Sequence, residues 1–188
     1  MTDALSGGFA KAPVQSSHAF RAALTVLSQP GEIRELSGAV PPMPLSGAAG
    51  ALLLTLCDGT TSLHLAGAHD CAPVRDWITF HCGAPLVSAE QAVFALGDWA
   101  ALQPLDRFAI GLPDYPDRAA ILIVEMTALE PKGAALRGPG IANVAYLSLP
   151  EIAAFQANRA LFPLGFDCFF TCGTKIAALP RSTHVEAV

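Results

Sequence analysis

Ala120-Ile121-Leu122-Ile123-Val124-Glu125-Met126 is the stretch on which the fold turns. β-Branched and long apolar side chains follow one another without a break until the carboxylate of Glu125. A short, continuous apolar run of this kind is the pattern of a strand in the interior of a sheet. On its C-terminal side, residues 135–136 and 144–147 read as strands flanking the turn Gly138-Pro139-Gly140. Residues 149–161 form a helical pattern, with Pro150 in its first turn and Ile152, Phe155 and Leu161 near one face. Residues 166–171 and 175–179 then read as a hairpin around Cys172-Gly173-Thr174.

Towards the N-terminus, Gly111, Pro113 and Pro116 make residues 110–118 a loop, and Asp98 reads as the N-cap of a short helix over 98–102. Strands are expected at 91–96, 86–87, 62–66 and 32–36. A helix over 73–81 places Val74, Trp77, Ile78 and His81 on one side and stops at Gly83. The segment 48–57 is apolar all round, so its helix should be buried, opened by Ser46 or Gly47 after a connection broken by Pro41, Pro42 and Pro44. Residues 18–28 predict a helix capped by Ser16 or Ser17, with Phe20, Leu24 and Leu27 on one face, ended by Pro30-Gly31. Residues 1–15 read as a flexible N-terminal arm. Strands and helices alternate with no linker or repeat, which predicts a single α/β domain over 16–188 with a mixed sheet covered by helices.

The chain has 188 residues, of which 52% are hydrophobic and only 14% charged. Its apolar runs are far shorter than the roughly 20 residues that span a bilayer, and Met1-Thr2-Asp3 opens no secretory pattern. A cytoplasmic protein is expected. The shortage of charge has two readings: a surface covered by partners, or an alanine-rich chain whose small side chains inflate the count. A net charge of −5, with lysines only at Lys11, Lys132 and Lys175, argues against nucleic acid and anionic membranes. Cys57, Cys71, Cys82, Cys168 and Cys172 are odd in number and lack C-x-x-C spacing, so free buried thiols are favoured over a metal or cluster site. No metal is expected.

Two places could hold an anion. Arg137 precedes Gly138-Pro139-Gly140, whose alternative reading is a tight turn. Arg181, Ser182, Thr183 and His184 lie in a dense polar C-terminal segment, which could equally be a terminal strand that docks on another chain. His81 near Trp77 is an acid or base, or a helix-end packing residue; His64 falls in a strand pattern, and His69-Asp70 is a weak dyad. No nucleophile elbow, zincin motif or phosphate loop occurs, so no catalytic residue is assigned.

Several blocks together resemble the H subunit of the bacterial carbon–phosphorus lyase system, the PhnH family. They are His18-Ala19-Phe20-Arg21 with Leu27-Ser28-Gln29-Pro30-Gly31, Leu52-Leu53-Leu54-Thr55-Leu56 with Asp58, and Phe80-His81 with Ala84-Pro85-Leu86-Val87-Ser88. Gly138-Pro139-Gly140-Ile141, Phe162-Pro163-Leu164-Gly165, Thr171-Cys172-Gly173 and Pro180-Arg181-Ser182-Thr183-His184-Val185-Glu186 complete the order along nearly the whole chain. The resemblance implies a three-layer α/β sandwich similar to a reduced PLP-dependent transferase, without PLP. It implies a homodimer in isolation, a core complex with the G, I and J subunits, and a functional link to the L subunit. It also implies a part in moving ribose triphosphate from ATP onto a phosphonate. No cofactor is expected in this chain. Three functions are thus weighed: an assembly subunit, a stand-alone PLP-like transferase using one of the lysines, and a phosphonate or nucleotide sensor binding through Arg137, Arg181 and His184.

Overall fold

The computed structural model describes residues 6–188. Residues 1–5 of the expected arm lie outside the described residues. The chain builds a six-stranded mixed sheet, a three-stranded antiparallel sheet, a small hairpin and four α-helices.

The sequence stretch quoted first becomes β6 (Ile121–Glu125). It lies inside the large sheet, between β3 (Phe94–Asp98) and β9 (Asp167–Cys172), parallel to both. β2 (Leu63–Leu65) adds in parallel outside β3; β10 (Lys175–Leu179) and the short edge strand β1 (Arg34–Glu35) add antiparallel outside β9. Alternate residues then sort onto two faces. Ile123, Phe169, Ile176 and Leu96 join one buried cluster; Leu122, Val124, Phe170 and Ala177 join another.

The first face is covered by α1 (Ala12–Ser28), α2 (Gly47–Leu56) and α3 (Ala72–His81). The second is covered by the small sheet and by α4 (Ile152–Ala160). That sheet has the order β11 (His184–Glu186), β7 (Ala134–Arg137), β8 (Ala145–Leu147), and it turns Ala134, Leu136, Leu147 and Val185 inward. The result is an α/β architecture with a mixed sheet between two covering layers.

Five local expectations are corrected. α1 begins at Ala12, not at the serines, because Pro13 sits in its first turn, where a missing N–H costs nothing. Residues 12–15 of the expected arm are therefore helical, and Ser6 and Gly7 before them accept hydrogen bonds from Trp77 Nε1 (3.0 Å) and Val40 N (2.8 Å). The buried face of α1 is Ala19, Ala23 and Val26, whereas Phe20 and Leu24 are 48% and 50% exposed. Small side chains let the helix lie close on α2 and β10, and that proximity decides the face over bulk. Finally, residues 110–118 are not loop. They form most of the hairpin β4 (Ile110–Leu112) and β5 (Tyr115–Ala119), with Pro113 in the turn and Gly111 at positive φ beside a register shift. Residues 98–102 make a turn, with Asp98 Oδ1 accepting from Ala101 N at 2.8 Å as a cap would, and the expected strand at 86–87 reduces to one bridge from Leu86 to Leu63.

The carboxyl end of β6 is tied to both neighbours. Glu125 Oε1 accepts from the backbone of Ser46 at 2.7 Å, and Oε2 accepts from Thr171 Oγ1 at 2.9 Å. Ser46 in turn caps α2, its hydroxyl accepting from Ala49 N at 3.1 Å. Replacing fully buried Thr171 with valine keeps the volume and removes one bond to this carboxylate. The expected loss is about 1–2 kcal/mol, read as a lower urea midpoint at unchanged slope.

Candidate functional site

The five candidate residues fold into one neighbourhood with different fates. Arg181 is committed to the fold. Its Nε and Nη2 donate to the two carboxylate oxygens of Asp167 at 3.1 and 2.7 Å, and Nη1 donates to the carbonyl of Pro116 at 2.8 Å. Its own backbone N–H also donates to Asp167, at 2.8 Å. This fork joins the start of β9 to the β5 strand and fixes where the C-terminal segment leaves the large sheet. Three of its five N–H donors are spent in this way, and the side chain is only 12% exposed. Thr183 is fully enclosed, 2% exposed, with Oγ1 lacking a partner. Ser182 is half-buried in the turn before β11. The C-terminal segment does form a strand, β11, which pairs with β7 of its own chain.

Arg137 and His184 meet. The register of β7 and β11 sets them directly opposite each other, and both are exposed. Val185, the next residue, points into the core, so the Arg137–His184 pair stands on the outer face of the small sheet. Arg137 Nη1 donates to the carbonyl of Asn143 at 3.1 Å, while Nε lies 3.6 Å from Glu186. A third basic residue enters from α4: Arg159 Nη2 donates to His184 Nε2 at 3.2 Å, its guanidinium 4.8 Å above the Phe162 ring. Arg159 Nε is buried without a partner. Sequence reading missed Arg159, because nothing local shows that the end of α4 packs on β11. The turn Gly138-Pro139-Gly140 supplies no anion cradle. Ile141 N donates back to Gly138 O at 3.1 Å, and Gly140, at positive φ, packs too tightly on the Ser28 carbonyl for any Cβ. The tight-turn reading holds.

His64, His69 and His81 are spoken for or enclosed, whereas His18 is exposed on α1. His81 Nε2 donates to the carbonyl of Ser6 at 3.2 Å, with its ring 4.9 Å from Trp77. His64 Nδ1 donates to Val87 O at 3.0 Å. His69 is buried, and Asp70 turns away from it to pair with Arg75, whose hydrogen bond holds the carboxyl below its ordinary range. Among the described residues no group of three or more His, Cys, Asp or Glu could hold a metal ion, and no helix is long and apolar enough to cross a membrane. Lys132 is paired with Glu130 at 2.8 Å. It shares with Lys175, Glu32 and Leu129 an open groove of about 780 Å³. Two lysines thus line one concavity.

Two predictions follow from this chemistry. Asp167→Asn removes the charge facing a guanidinium whose side chain is 12% exposed. Breaking a buried pair costs about 3–5 kcal/mol, and the partial exposure of Asp167 reduces the expected loss to about 2 kcal/mol, measured by urea unfolding. Burial also pushes the Cys57 and Cys168 thiols well above their ordinary range and Cys82 up to about 12. Ellman's reagent at neutral pH should therefore label these three slowly in the folded chain and promptly in urea, as mass spectrometry of the labelled peptides would show.

Comparison with known proteins places the chain in a family. The family model described as bacterial phosphonate metabolism protein (PhnH) matches residues 7–186. A Rhizobium meliloti (strain 1021) protein named alpha-D-ribose 1-methylphosphonate 5-triphosphate synthase subunit PhnH is 39% identical over 96% of this chain and 95% of its own length. A Stutzerimonas stutzeri protein named putative C-P lyase subunit protein HtxG is 30% identical, over 94% of this chain and 88% of its own. With nearly every described residue inside these matches, the chain belongs to the PhnH family of bacterial phosphonate metabolism proteins.

Proposed function

We propose that this chain is a subunit of the assembly that transfers ribose 5-triphosphate from ATP to a phosphonate, and that it holds no complete active site of its own. The full-length likeness to a protein named as a subunit of such a synthase carries the reading. The chemistry of the described residues supports it. Arg181 and Asp167 are spent on the fold, three thiols are held protonated by burial, and the cluster on the outer face of the small sheet is two guanidiniums and an imidazole. Such a cluster binds and orients; it offers no nucleophile.

The partners expected on this reading are the G, I and J subunits, with the L subunit acting alongside, and a homodimer when the chain is alone. It works in the cytoplasm and carries no cofactor. The side chains available for these contacts are visible. Phe20 and Leu24 on α1, Phe80 on α3 and Leu161 and Phe162 after α4 are each 45–58% exposed. Aromatic and aliphatic groups held in place on helices lose little entropy on docking.

The test is co-purification. The tagged chain, expressed in its native host growing on methylphosphonate as sole phosphorus source, should bring down the G, I and J subunits in fixed ratio. Recovery of the chain by itself, from cells that do contain those subunits, would overturn the proposal.

A further inference from the structure

We infer that Arg137, Arg159 and His184 form a binding site for a phosphoryl or phosphonyl oxyanion on the outer face of the three-stranded sheet. The choice of oxyanion rests on the function proposed above; the site itself rests on geometry.

The first observation is convergence from separate elements. β7 brings Arg137, β11 brings His184, and α4 brings Arg159. Directly opposed residues of an antiparallel pair have Cβ atoms roughly 5 Å apart, and Arg159 already touches the His184 ring at 3.2 Å. Both arginines thus stand beside the same histidine, one opposite it in the ladder and one in contact with its ring. The second observation is missing compensation. The chain carries a net charge of −5, yet Arg159 makes no ion pair among the described residues. Its Nη2 hydrogen bonds instead to another basic group, and its Nε has no acceptor. The single carboxylate at hand, Glu186, stays 3.6 Å from Arg137 Nε, beyond hydrogen-bond length.

An arriving oxyanion resolves each of these. It accepts from the forks of both guanidiniums, which match phosphate oxygens in spacing and plane. It also displaces the Arg159–His184 contact, which frees His184 Nε2 to turn to the ligand. The cation–π seat on Phe162 and the bond to the Asn143 carbonyl hold the two arginines in place beforehand.

The experiment is an NMR titration of the isolated full-length chain, following the His184 ring signals, which a His184→Asn variant identifies. The probes are methylphosphonate and tripolyphosphate, with sodium chloride at matched ionic strength as reference. A saturable shift with either probe, absent with chloride, supports the site. Response to methylphosphonate alone makes it a phosphonate subsite; response to tripolyphosphate alone makes it a triphosphate subsite. Arg137→Gln and Arg159→Gln should each weaken binding about tenfold, the worth of one charge-assisted contact. Glu186→Gln, which removes the competing carboxylate, should tighten it. Arg159→Lys keeps the charge without the fork, serves if the glutamine variant unfolds, and should weaken binding several-fold. No saturable shift with either probe, or a shift that both arginine variants leave intact, overturns the site. A chain that binds these anions but co-purifies with no subunit overturns the assembly reading and leaves the site standing. One that assembles normally but ignores both probes overturns the site and leaves the assembly.

Discussion

Everything in this molecule follows from a sheet whose central strands are apolar on both faces. β6 and β9 alternate Leu122, Ile123, Val124 and Cys168, Phe169, Phe170, with no polar side chain between them. Each face needs its own cover, at a gain of roughly 25 cal/mol per Å² of apolar surface removed from water. One face takes α1, α2 and α3. The other takes α4 and a second, smaller sheet. Because that small sheet exists to cover β6 and β9, its outer face stands one layer away from the core. There the exposed side chains Arg137, His184 and Glu186 collect without disturbing the packing beneath. That cluster is a by-product of how the second face was closed.

Much of this was legible in the residues. The unbroken run at 120–126 marks the central strand. The all-round apolar segment at 48–57 marks the buried helix, whose Ala48 to Leu53 are buried. These readings succeed because burial on every side leaves no choice of orientation. Where orientation had to be chosen, pattern alone misled. α1 offers a bulky stripe and a small one, and the periodicity of Phe20 and Leu24 is as good as that of Ala19, Ala23 and Val26. Only the packing on α2 and β10 selects the small stripe, and those partners lie far along the chain. Residues 110–118 misled in another way. Pro113 and Pro116 argue against a central strand, but a two-stranded hairpin asks less of the ladder and tolerates proline at its turn and edge.

The site shows the same division. Composition could point to Arg137, Arg181 and His184 as the cations near the C-terminus. It could not say which of them was already occupied. Asp167 and Arg181 lie 14 residues apart, and their pairing depends on the hairpin formed by β9 and β10 returning the chain to its starting edge. Arg159 is the converse case. It looks like an ordinary basic residue closing a helix, favourable to the helix dipole. Its place beside His184 exists only because α4 packs along β11, where Gln156 Nε2 also donates to the carbonyl of Val185 at 2.9 Å.

On the proposed oxyanion site, a charge-poor chain has to meet a highly charged ligand. With a net charge of −5, there is no broad positive field to draw an anion in. Recognition then has to be local and geometric, made by guanidiniums aimed beforehand. Arg181, locked to Asp167, positions the whole C-terminal segment; that segment delivers His184 to Arg137; and α4 adds Arg159. One arginine is buried so that two others can be presented. A cluster of this kind binds weakly by itself and gains specificity when a second surface closes over it and excludes water. In a chain whose relatives are named as subunits, the neighbouring exposed Leu161 and Phe162 stand where such a second surface would make contact.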